Sequence, residues 1–335
     1  MSQYKVGVVG ATGAVGQEVV RLLETRNFPV AELRLFASAR SAGKTIRFRG
    51  ADVPLVPLTA EAMKGLDYVV FSAGASRSRE FAPAAVAAGA VVIDNSSAYR
   101  MDPAVPLVVP EINPGDLDPA KKIIANPNCT AAILGTAIWP LHQAAGIERV
   151  IVSTYQSASG AGAQAMAELE SQVRQHSAGE EITRSVFPHQ IAFNVFSHNT
   201  PVGPDGWNEE ETKVREELRK MFHMPDLPVA VTCIRVPVLR AHSESVVIET
   251  RKKLTAAEAR EILSKAPGVK LVDNPAQNHF PMPIEASGEL DVLVGRIRED
   301  QSHPRSLALF VSGDQLLKGA AWNAIQIAEY LIGKR

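Results

Sequence analysis

The sequence has 335 residues, of which 46% are hydrophobic, so it is long enough for two packed domains and is unlike a disordered or fibrous chain. Its 35 Lys and Arg residues are offset by 36 Asp and Glu residues, so net charge gives no reason to expect a nucleic acid or membrane partner. The two cysteines exclude a disulfide framework and argue against structural zinc, so we expect no metal site. The N-terminus lacks a signal-like region and no apolar run reaches about 18 residues, which predicts a cytoplasmic protein.

The N-terminal segment has the pattern of a strand, a glycine-rich turn and a helix. Residues 5–9 (KVGVV) are apolar and β-forming, residues 10–16 (GATGAVG) form the turn, and residues 17–25 (QEVVRLLET) have a helical pattern. Glycine permits a sharp turn and close approach to a pyrophosphate, and the helix N-terminus offers N–H groups to its oxygens. The spacing is a variant of the usual GxGxxG motif. The alternative is an incidental tight turn, but the position after the first strand favours dinucleotide binding.

The end of the second predicted strand indicates which dinucleotide is bound. Residues 33–37 (LRLFA) form this strand, and residues 38–44 (SARSAGK) follow it without an acidic residue for the ribose hydroxyls of NAD. The hydroxyls of Ser38 and Ser41 and the guanidinium of Arg40 suit a 2′-phosphate. A solvated basic loop is the alternative. The pattern therefore favours NADP over NAD.

Two further buried strands are predicted at residues 67–72 and 90–94, which extends the βαβ alternation over about the first 125 residues. Both strands end in small polar residues. In an open parallel sheet, ligands bind at the carboxyl ends of the strands, so this edge is a candidate cofactor site. The residues that would lie there are Ser72, Gly74, Asn95, Ser96 and Ser97.

Residues 126–130 (NPNCT) place a thiol at the start of an apolar helix predicted over residues 130–144. Asn128 is a suitable N-cap, so Cys129 would lie in the first turn, where the helix dipole and free backbone N–H groups favour the nucleophilic thiolate. A buried cysteine that acts as a small hydrophobic residue is the usual alternative. Cys233, in a predicted strand, fits that alternative.

The second half of the chain predicts a mixed, largely antiparallel sheet with helices on one face. Strands are expected at residues 150–155 and within 227–252, 291–298 and 306–312, and an amphipathic helix with Asp314 as its N-cap is expected over residues 314–332. We therefore predict an α/β protein with a Rossmann-type dinucleotide-binding domain and a second, α+β domain that carries the candidate thiol. The first would comprise residues 1–128 and 314–335, and the second residues 129–313.

Arg235 and His242 are separated by an odd number of residues, so an unbroken strand would point them to opposite faces. They can reach one site only if the chain bends between them, and Pro237 favours such a break. A lone histidine in a strand is more often structural than catalytic. A neutral histidine is nevertheless suited to proton transfer next to a thiol, and spacing alone does not decide between these roles.

Taken together, these motifs resemble the aspartate-β-semialdehyde dehydrogenase family over nearly the full length of the chain. The segments that carry the resemblance are GATGAVG at 10–16, SARSAGK at 38–44, SSAYR at 96–100, NPNCT at 126–130, YQSASGAG at 155–162, EETK at 210–213, RVPVLRAHSE at 235–244 and DQLLKGAAWN at 314–323.

The resemblance implies the reversible, phosphate-dependent interconversion of L-aspartate 4-semialdehyde and 4-phospho-L-aspartate with NADP, in the biosynthesis of lysine, threonine and methionine. It implies Cys129 as the nucleophile, His242 as the acid/base, Gln156 as the residue that orients the thioester and Arg235 as the substrate carboxylate ligand. Arg100 and Lys213, supported by Glu210, would bind phosphate, although ordinary surface charge is the alternative for these cations and for Arg235. The implied NADP contacts, together with the residues named above, are Gly10, Thr12, Gly13, Ala14, Val15, Arg40, Ser41, Ser159, Gly160 and Gln315.

The resemblance also implies a homodimer built on the second domain's sheet, or a tetramer. One segment departs from the family pattern, since Ser197 stands before His198 where a proline is expected. We interpret His189 and His198 as structural or interface residues.

Three other functions share parts of this pattern. N-acetylglutamyl-phosphate reductase uses the same thioester and NADP chemistry, but its cysteine lies in a different local sequence. Glyceraldehyde-3-phosphate dehydrogenase shares the mechanism, but the absence of an acidic residue near Arg40 and the NPNCT context argue against it. A non-catalytic paralogue would be expected to lack the chemical residues, and all four of Cys129, Gln156, Arg235 and His242 are present.

Overall fold

A computed structural model describes residues 3–38, 41 and 43–333. The described chain divides into two compact units, one formed by Met1–Asn128 with Ala320–Arg335 and the other by Cys129–Gly319. The C-terminal segment of the first unit thus begins at Ala320, six residues after the boundary at Asp314 that was expected from the sequence.

The strands follow in chain order. They are β1 (Tyr4–Val9), β2 (Val30–Ala37), β3 (Thr45–Phe48), β4 (Ala51–Pro57), β5 (Tyr68–Phe71), β6 (Val91–Asp94), β7 (Ile123–Ala125), β8 (Ile147–Gln156), β9 (Phe196–Ser197), β10 (Val229–Arg235), β11 (His242–Thr250), β12 (Val269–Leu271), β13 (Val292–Glu299) and β14 (Ser306–Gly313).

The α-helices are α1 (Ala14–Thr25), α2 (Ala75–Ala87), α3 (Cys129–Ala145), α4 (Ala163–Ala178), α5 (Glu209–Met221), α6 (Ala256–Leu263), α7 (Pro283–Ala286) and α8 (Trp322–Leu331). No helix in the described part of the chain is long and apolar enough to cross a membrane.

The first unit is built on a seven-stranded sheet with the order β3-β4-β2-β1-β5-β6-β7. All neighbouring pairs are parallel except β3 with β4. Parallel pairing brings the carboxyl ends of β1, β5 and β6 to one edge, as the alternation of predicted strands and helices requires. The strand interiors are apolar because parallel sheets are covered on both faces, and Val8, Val69 and Ile93 are fully buried.

The second unit contains a mixed seven-stranded sheet with the order β12-β13-β14-β11-β8-β10-β9. Its pairs are antiparallel except β12 with β13 and β8 with β10. Along β8, the side chains of Val150, Val152 and Thr154 are buried. The alternating Ile151 is half-buried and Tyr155 is 38% exposed. Helix α3 contacts both α5 and α6, and all three helices contact the sheet, so this sheet has one covered face, as the sequence predicts.

Arg235 and His242 reach the same face because they lie on different strands. Arg235 is the last residue of β10 and His242 is the first residue of β11, and these strands flank β8 on opposite sides. Arg235 on β10 pairs with Gln156 on β8. Ser243 on β11 pairs with Tyr155 on β8, and because these two strands are antiparallel, His242 lies opposite Gln156. Residues that face one another across paired strands point to the same side of a sheet. We call Arg235, Gln156 and His242 the polar row.

The C-terminal segment differs from the predicted amphipathic helix. A π-helical turn occupies Leu317–Ala321 before α8 begins at Trp322, and residues 314–329 are all buried. A helix is found over much of the predicted range, but its polar residues up to 329 are buried together with its apolar ones. The polar side chains on which the prediction rested are paired inside the first unit, where Glu329 contacts Arg26 and Gln326 donates to Glu111.

Candidate active site

Cys129 and His242 lie together in the second unit. Cys129 is the first residue of α3 and is half-buried, and its Sγ is 3.5 Å from Nε2 of His242. Glycine at position 319 permits this packing, because a Cβ there would lie 2.7 Å from Cβ of Cys129. The fold thus brings the predicted nucleophile and the predicted proton-handling residue into contact.

His242 is fully buried and is held through Nδ1, which receives the backbone N–H of Ser157 at 3.0 Å and lies 3.1 Å from the Ser157 hydroxyl. Burial lowers the pKa of His242 well below its ordinary value, and the nearby Arg235 and His198 lower it further. The imidazole is therefore neutral at physiological pH.

The side-chain amide of Gln156 is fixed at both ends. Its Oε1 accepts from Oγ1 of Thr154 at 3.1 Å, and its Nε2 donates to Oε1 of Glu210 at 3.0 Å. Since a hydroxyl can donate and a carboxylate can only accept, this pair of contacts fixes which end of the amide is oxygen. Glu210 thus orients Gln156, and its predicted support of phosphate binding stays a prediction.

Arg235 is buried and is held by three side-chain contacts. Nη1 donates to the Ser157 carbonyl at 2.8 Å, and Nη2 donates to Nε2 of His198 at 2.7 Å and contacts Oδ1 of Asn199 at 3.4 Å. The guanidinium also lies over the ring of Phe187. Its Nε is buried and has no hydrogen-bond partner among the described residues.

His198 is a residue of this site whose role was not predicted from the sequence. It accepts a hydrogen bond from Arg235, so its Nε2 carries no proton, and its Nδ1 is 3.2 Å from Oγ1 of Thr200. Burial lowers the pKa of His198 to about 4, with Arg235 and Lys213 lowering it and Glu210 raising it. The interpretation of His198 as a structural or interface residue did not include this contact with the proposed carboxylate ligand.

The low pKa of His198 predicts a pH-dependent contribution to stability. His198 has a pKa of about 4 in the folded chain and an ordinary value of 6.5, so the unfolded chain binds more protons between these values. Stability that is present above pH 6.5 should therefore be lost as the pH falls towards 4. The free energy of unfolding, measured with urea from pH 7.5 to 5, should fall more steeply for the natural protein than for His198→Gln. Parallel curves for the two proteins would contradict this expectation.

Lys213 lies on α5 one turn after Glu209, with which it forms an ion pair at 2.7 Å. Its side chain is only partly exposed, and its charge acts on His198. Lys213 is thus near the polar row, which agrees with an anion-binding role, but that role stays a prediction.

Arg100 belongs to the first unit and is buried there. Its Nε donates to the carbonyl of Asn126 at 2.9 Å and its Nη2 to the carbonyl of Asn95 at 2.7 Å. The side chain of Asn126 donates in turn to Oδ1 of Asn95 at 2.6 Å. Arg100 is therefore held by the ends of β6 and β7, and its proposed phosphate contact stays a prediction.

The glycine turn of the first unit fits a pyrophosphate. Gly10 has a φ of +86°, and a Cβ there would lie 2.9 Å from the backbone of Ser72, whereas a Cβ at Gly16 would overlap the carbonyl oxygen of Gly10. Helix α1 follows with Gly13 as its N-cap and without a side-chain cap, so its first N–H groups are available to an anion. Thr12 and Gly13 are exposed, and Ala14 and Val15 are half-buried.

The other predicted cofactor residues divide between the units. Ser72, Gly74 and Asn95 lie at the carboxyl ends of β5 and β6, Ser38 is exposed and Ser41 is half-buried, while Arg40 lies outside the described residues. Ser159, Gly160 and Gln315 belong to the second unit. Ser159 and Gln315 are buried there and hydrogen-bonded to each other, so their side chains have partners within the protein.

Gly160 leaves space for the polar row. A Cβ at this position would lie 3.0 Å from Cε1 of His242 and 3.4 Å from Nη1 of Arg235. Gly160→Ala should therefore displace the imidazole and lower kcat by about 10- to 100-fold with little change in melting temperature. Gly115→Ala is the matched control, because a Cβ there meets nothing within 4 Å. Equal kcat values for the two variants would show that the space beside His242 is not required.

Comparisons with known proteins identify the family. A family model described as "Semialdehyde dehydrogenase, NAD binding domain" matches residues 5–120, and one described as "Semialdehyde dehydrogenase, dimerisation domain" matches residues 138–318. The aspartate-semialdehyde dehydrogenase of Synechocystis sp. is 52% identical over 331 residues, which cover 99% of this chain and 98% of that protein.

Solved structures agree with these matches. Aspartate semialdehyde dehydrogenase II from Vibrio cholerae, solved in complex with ASA, superposes with a TM-score of 0.97 at 41% identity and covers 99% of both chains. The more distant Candida albicans enzyme, solved with NADP, has a TM-score of 0.75 at 25% identity and also covers 99% of both chains. The predicted two-domain fold is confirmed, and the chain belongs to the aspartate-semialdehyde dehydrogenase family.

Proposed function

We propose that this protein interconverts L-aspartate 4-semialdehyde and 4-phospho-L-aspartate with NADP and phosphate, through a thioester on Cys129. The observation that carries the proposal is the 3.5 Å contact between the half-buried thiol of Cys129 and Nε2 of the buried, neutral His242. A thiol at a helix start beside an imidazole is the arrangement expected of a cysteine nucleophile, rather than of a core residue. The product serves the biosynthesis of lysine, threonine and methionine.

In the direction of aldehyde oxidation, the sulfur of Cys129 attacks the aldehyde carbon. His242 transfers the proton of the oxygen in the resulting tetrahedral adduct. Loss of hydride then gives the thioester. The amide of Gln156, fixed by Thr154 and Glu210, is suited to orient that acyl group without rearrangement. Phosphate attacks the thioester and releases the sulfur.

Arg235 would bind the α-carboxylate of the substrate. Its guanidinium is already held by Ser157 and His198, so little conformational entropy is lost when the substrate binds. A buried guanidinium makes strong, directional hydrogen bonds to a carboxylate. Arg100 and Lys213 would bind the phosphate.

The nicotinamide dinucleotide supplies the hydride acceptor when it is bound. The open glycine turn at Gly10 to Gly16 and the uncapped start of α1 would hold its pyrophosphate, and the absence of an acid at the end of β2 favours NADP. The remaining contacts are proposed at Ser38, Arg40, Ser41, Ser72, Gly74, Asn95, Ser159, Gly160 and Gln315.

The family model for residues 138–318 describes a dimerisation domain, and the sheet of the second unit leaves alternating residues of β8 such as Tyr155 exposed. We propose a homodimer that uses this sheet face. Neither Cys129 nor Cys233 forms a disulfide, which agrees with a reducing, cytoplasmic location. Multi-angle light scattering of the purified protein should give the mass of two chains, and a monomer at micromolar concentration would exclude this part of the proposal.

The activity is tested by following NADPH formation from aspartate semialdehyde, phosphate and NADP. Omission of phosphate should abolish steady turnover, and NAD should be a much poorer acceptor than NADP. N-acetylglutamate semialdehyde in the same assay tests the related reductase, and its turnover should be negligible. Phosphate-independent turnover would exclude the proposed mechanism, and equal use of NAD and NADP would remove the role assigned to Arg40.

A further inference from the structure

Residues 181–195 connect α4 to β9 without forming a helix or strand, and the structure describes all of them. Several of their backbone N–H groups donate to side chains of α4. The N–H of Thr183 donates to Oε1 of Gln175 at 3.0 Å. Those of Ile191 and Ala192 donate to Oε1 of Gln172 at 2.9 and 3.0 Å. Buried backbone groups need such partners, so α4 determines the path of this irregular segment.

Glu168 of α4 binds the part of the segment that contains Phe187. Its Oε2 accepts from the backbone N–H and the hydroxyl of Ser185 at 2.6 and 2.8 Å, and from the N–H of Val186 at 2.5 Å. Its Oε1 accepts from the N–H of Phe187 at 3.3 Å. Burial alone would raise the pKa of Glu168, but these hydrogen bonds hold it below the ordinary value. An ionised carboxylate thus fixes three consecutive backbone amides.

The position of Glu168 is one where an apolar side chain would be expected. It lies on the buried face of α4 with Leu169, and it is only 6% exposed. Leu169 packs in one apolar cluster with Phe187 and Ile191. Burial of a charge costs free energy unless hydrogen bonds compensate for it, and a leucine would fill the same space without that cost. What the carboxylate adds at this position is a fixed backbone geometry for residues 185–187.

Phe187 is the residue at which the segment meets Arg235. Its side chain is buried, and the guanidinium carbon of Arg235 lies 5.4 Å from the centre of its ring. A cation at this distance from an aromatic face is attracted by the ring. The ring also packs edge-to-face against Phe196, which is the residue of β9 that pairs with Arg235. Phe187 therefore contacts both the side chain of Arg235 and the strand next to it.

The ring of Phe187 and the imidazole of His198 hold Arg235 in different ways. His198 accepts a hydrogen bond from Nη2 at the edge of the guanidinium. Phe187 contacts the guanidinium through its face and uses none of its N–H donors. The ring can thus restrict the orientation of the guanidinium without competing with a carboxylate for hydrogen bonds.

We propose that Glu168 is a positioning residue for substrate binding, because it fixes the backbone of residues 185–187 and thereby holds the ring of Phe187 against the guanidinium of Arg235. This inference rests on the proposed function, in which Arg235 is the ligand of the substrate carboxylate. Glu168 acts through Phe187 and not on the chemistry at Cys129. Its loss should therefore raise the KM for aspartate semialdehyde and leave kcat nearly unchanged.

Glu168→Gln keeps the size of the side chain but places an NH₂ group against a backbone N–H in either orientation of the amide. It should raise the KM for aspartate semialdehyde about 10-fold and leave kcat and the KM for NADP within about threefold. Glu170→Gln is the matched control, because Glu170 is exposed on the same helix and its ion pair with Arg174 is long, at 3.9 Å. An unchanged substrate KM in folded Glu168→Gln, or a loss confined to kcat, would overturn the proposal.

A double-mutant cycle tests whether Glu168 acts through Phe187. Phe187→Leu removes the aromatic face but keeps an apolar side chain, and it should also raise the substrate KM about 10-fold. In the double variant, Glu168→Gln should add no more than about a further twofold. Effects that multiply fully would show that Glu168 does not act through the ring. Glu168→Asp keeps the charge on a shorter side chain and serves if the glutamine variant does not fold. Its substrate KM should rise by less, and an unchanged value would contradict the proposal.

NMR of the full-length protein labelled with ¹⁵N-arginine tests the positioning of Arg235 without substrate. The Nε–H signal of Arg235, assigned with Arg235→Lys, should carry a ring-current shift from Phe187. Phe187→Leu should remove this shift, Glu168→Gln should change it in the same direction and Glu170→Gln should leave it in place. An unchanged signal in Glu168→Gln would overturn the positioning role. The expected shifts in a protein that does not turn over aspartate semialdehyde would support the positioning of Arg235 and exclude the proposed substrate.

Discussion

Replacement of Cys129 by serine is expected to lower kcat by about 10⁴-fold or more. The other residues of the site, such as His242 and Gln156, cannot form the covalent thioester in place of the missing thiol. The serine hydroxyl stays protonated near neutral pH and is a far weaker nucleophile than a thiolate. The loss should be in kcat, measured from NADPH absorbance at saturating substrate. A serine variant with more than about one hundredth of the natural kcat would contradict the role of Cys129.

Cys233 provides the matched control. It is fully buried, and burial raises the pKa of its thiol, so it should be inert. Cys233→Ala should lower the melting temperature slightly through a small cavity and leave kcat within about threefold of the natural value. A large loss of kcat in this variant would show that cysteine removal affects activity through the fold.

The second large effect is expected for Arg235→Lys, which should lower kcat/KM by about 100-fold, chiefly through a higher KM for aspartate semialdehyde. An ammonium group cannot contact Ser157, His198 and Asn199 in the geometry of the guanidinium and also bind a carboxylate at a fixed angle. The KM for NADP should change little.

Arg174→Lys is a suitable control, because Arg174 is exposed on α4 and its ion pair with Glu170 is long, at 3.9 Å. Its kinetic constants should equal those of the natural protein. If Arg235→Lys lowered only kcat and left the substrate KM unchanged, Arg235 would not be the ligand of the substrate carboxylate.

Much of the fold follows from local patterns in the sequence. The strands before Gly10 and Ser72 are short apolar runs that end in turn residues, and both are found where they were predicted. The segment after Asp314 was more difficult, because Glu329 and Gln326 give it an amphipathic pattern although both side chains are buried and paired. Polarity predicts exposure only when no partner is available inside, and the partners of these residues are distant in sequence.

The candidate site was predictable where local sequence carries the chemistry. The helix start was enough to make Cys129 a candidate nucleophile, and the odd spacing of Arg235 and His242 meant that they could share a site only if the chain breaks between them. His198 could not be identified, because its contact with Arg235 joins residues that are 37 positions apart through the pairing of β9 with β10. The hydrogen bond that holds Nδ1 of His242 likewise comes from Ser157, 85 residues away.

The central claim is that Cys129 carries the acyl group, and mass spectrometry of the acid-quenched protein tests it most directly. Incubation with aspartate semialdehyde and NADP, without phosphate, should add one aspartyl group and should place it on the peptide that contains Cys129. Addition of phosphate before the quench should remove the adduct. NADPH formation without an adduct, an adduct on Cys233, or an adduct that phosphate does not remove would contradict the account.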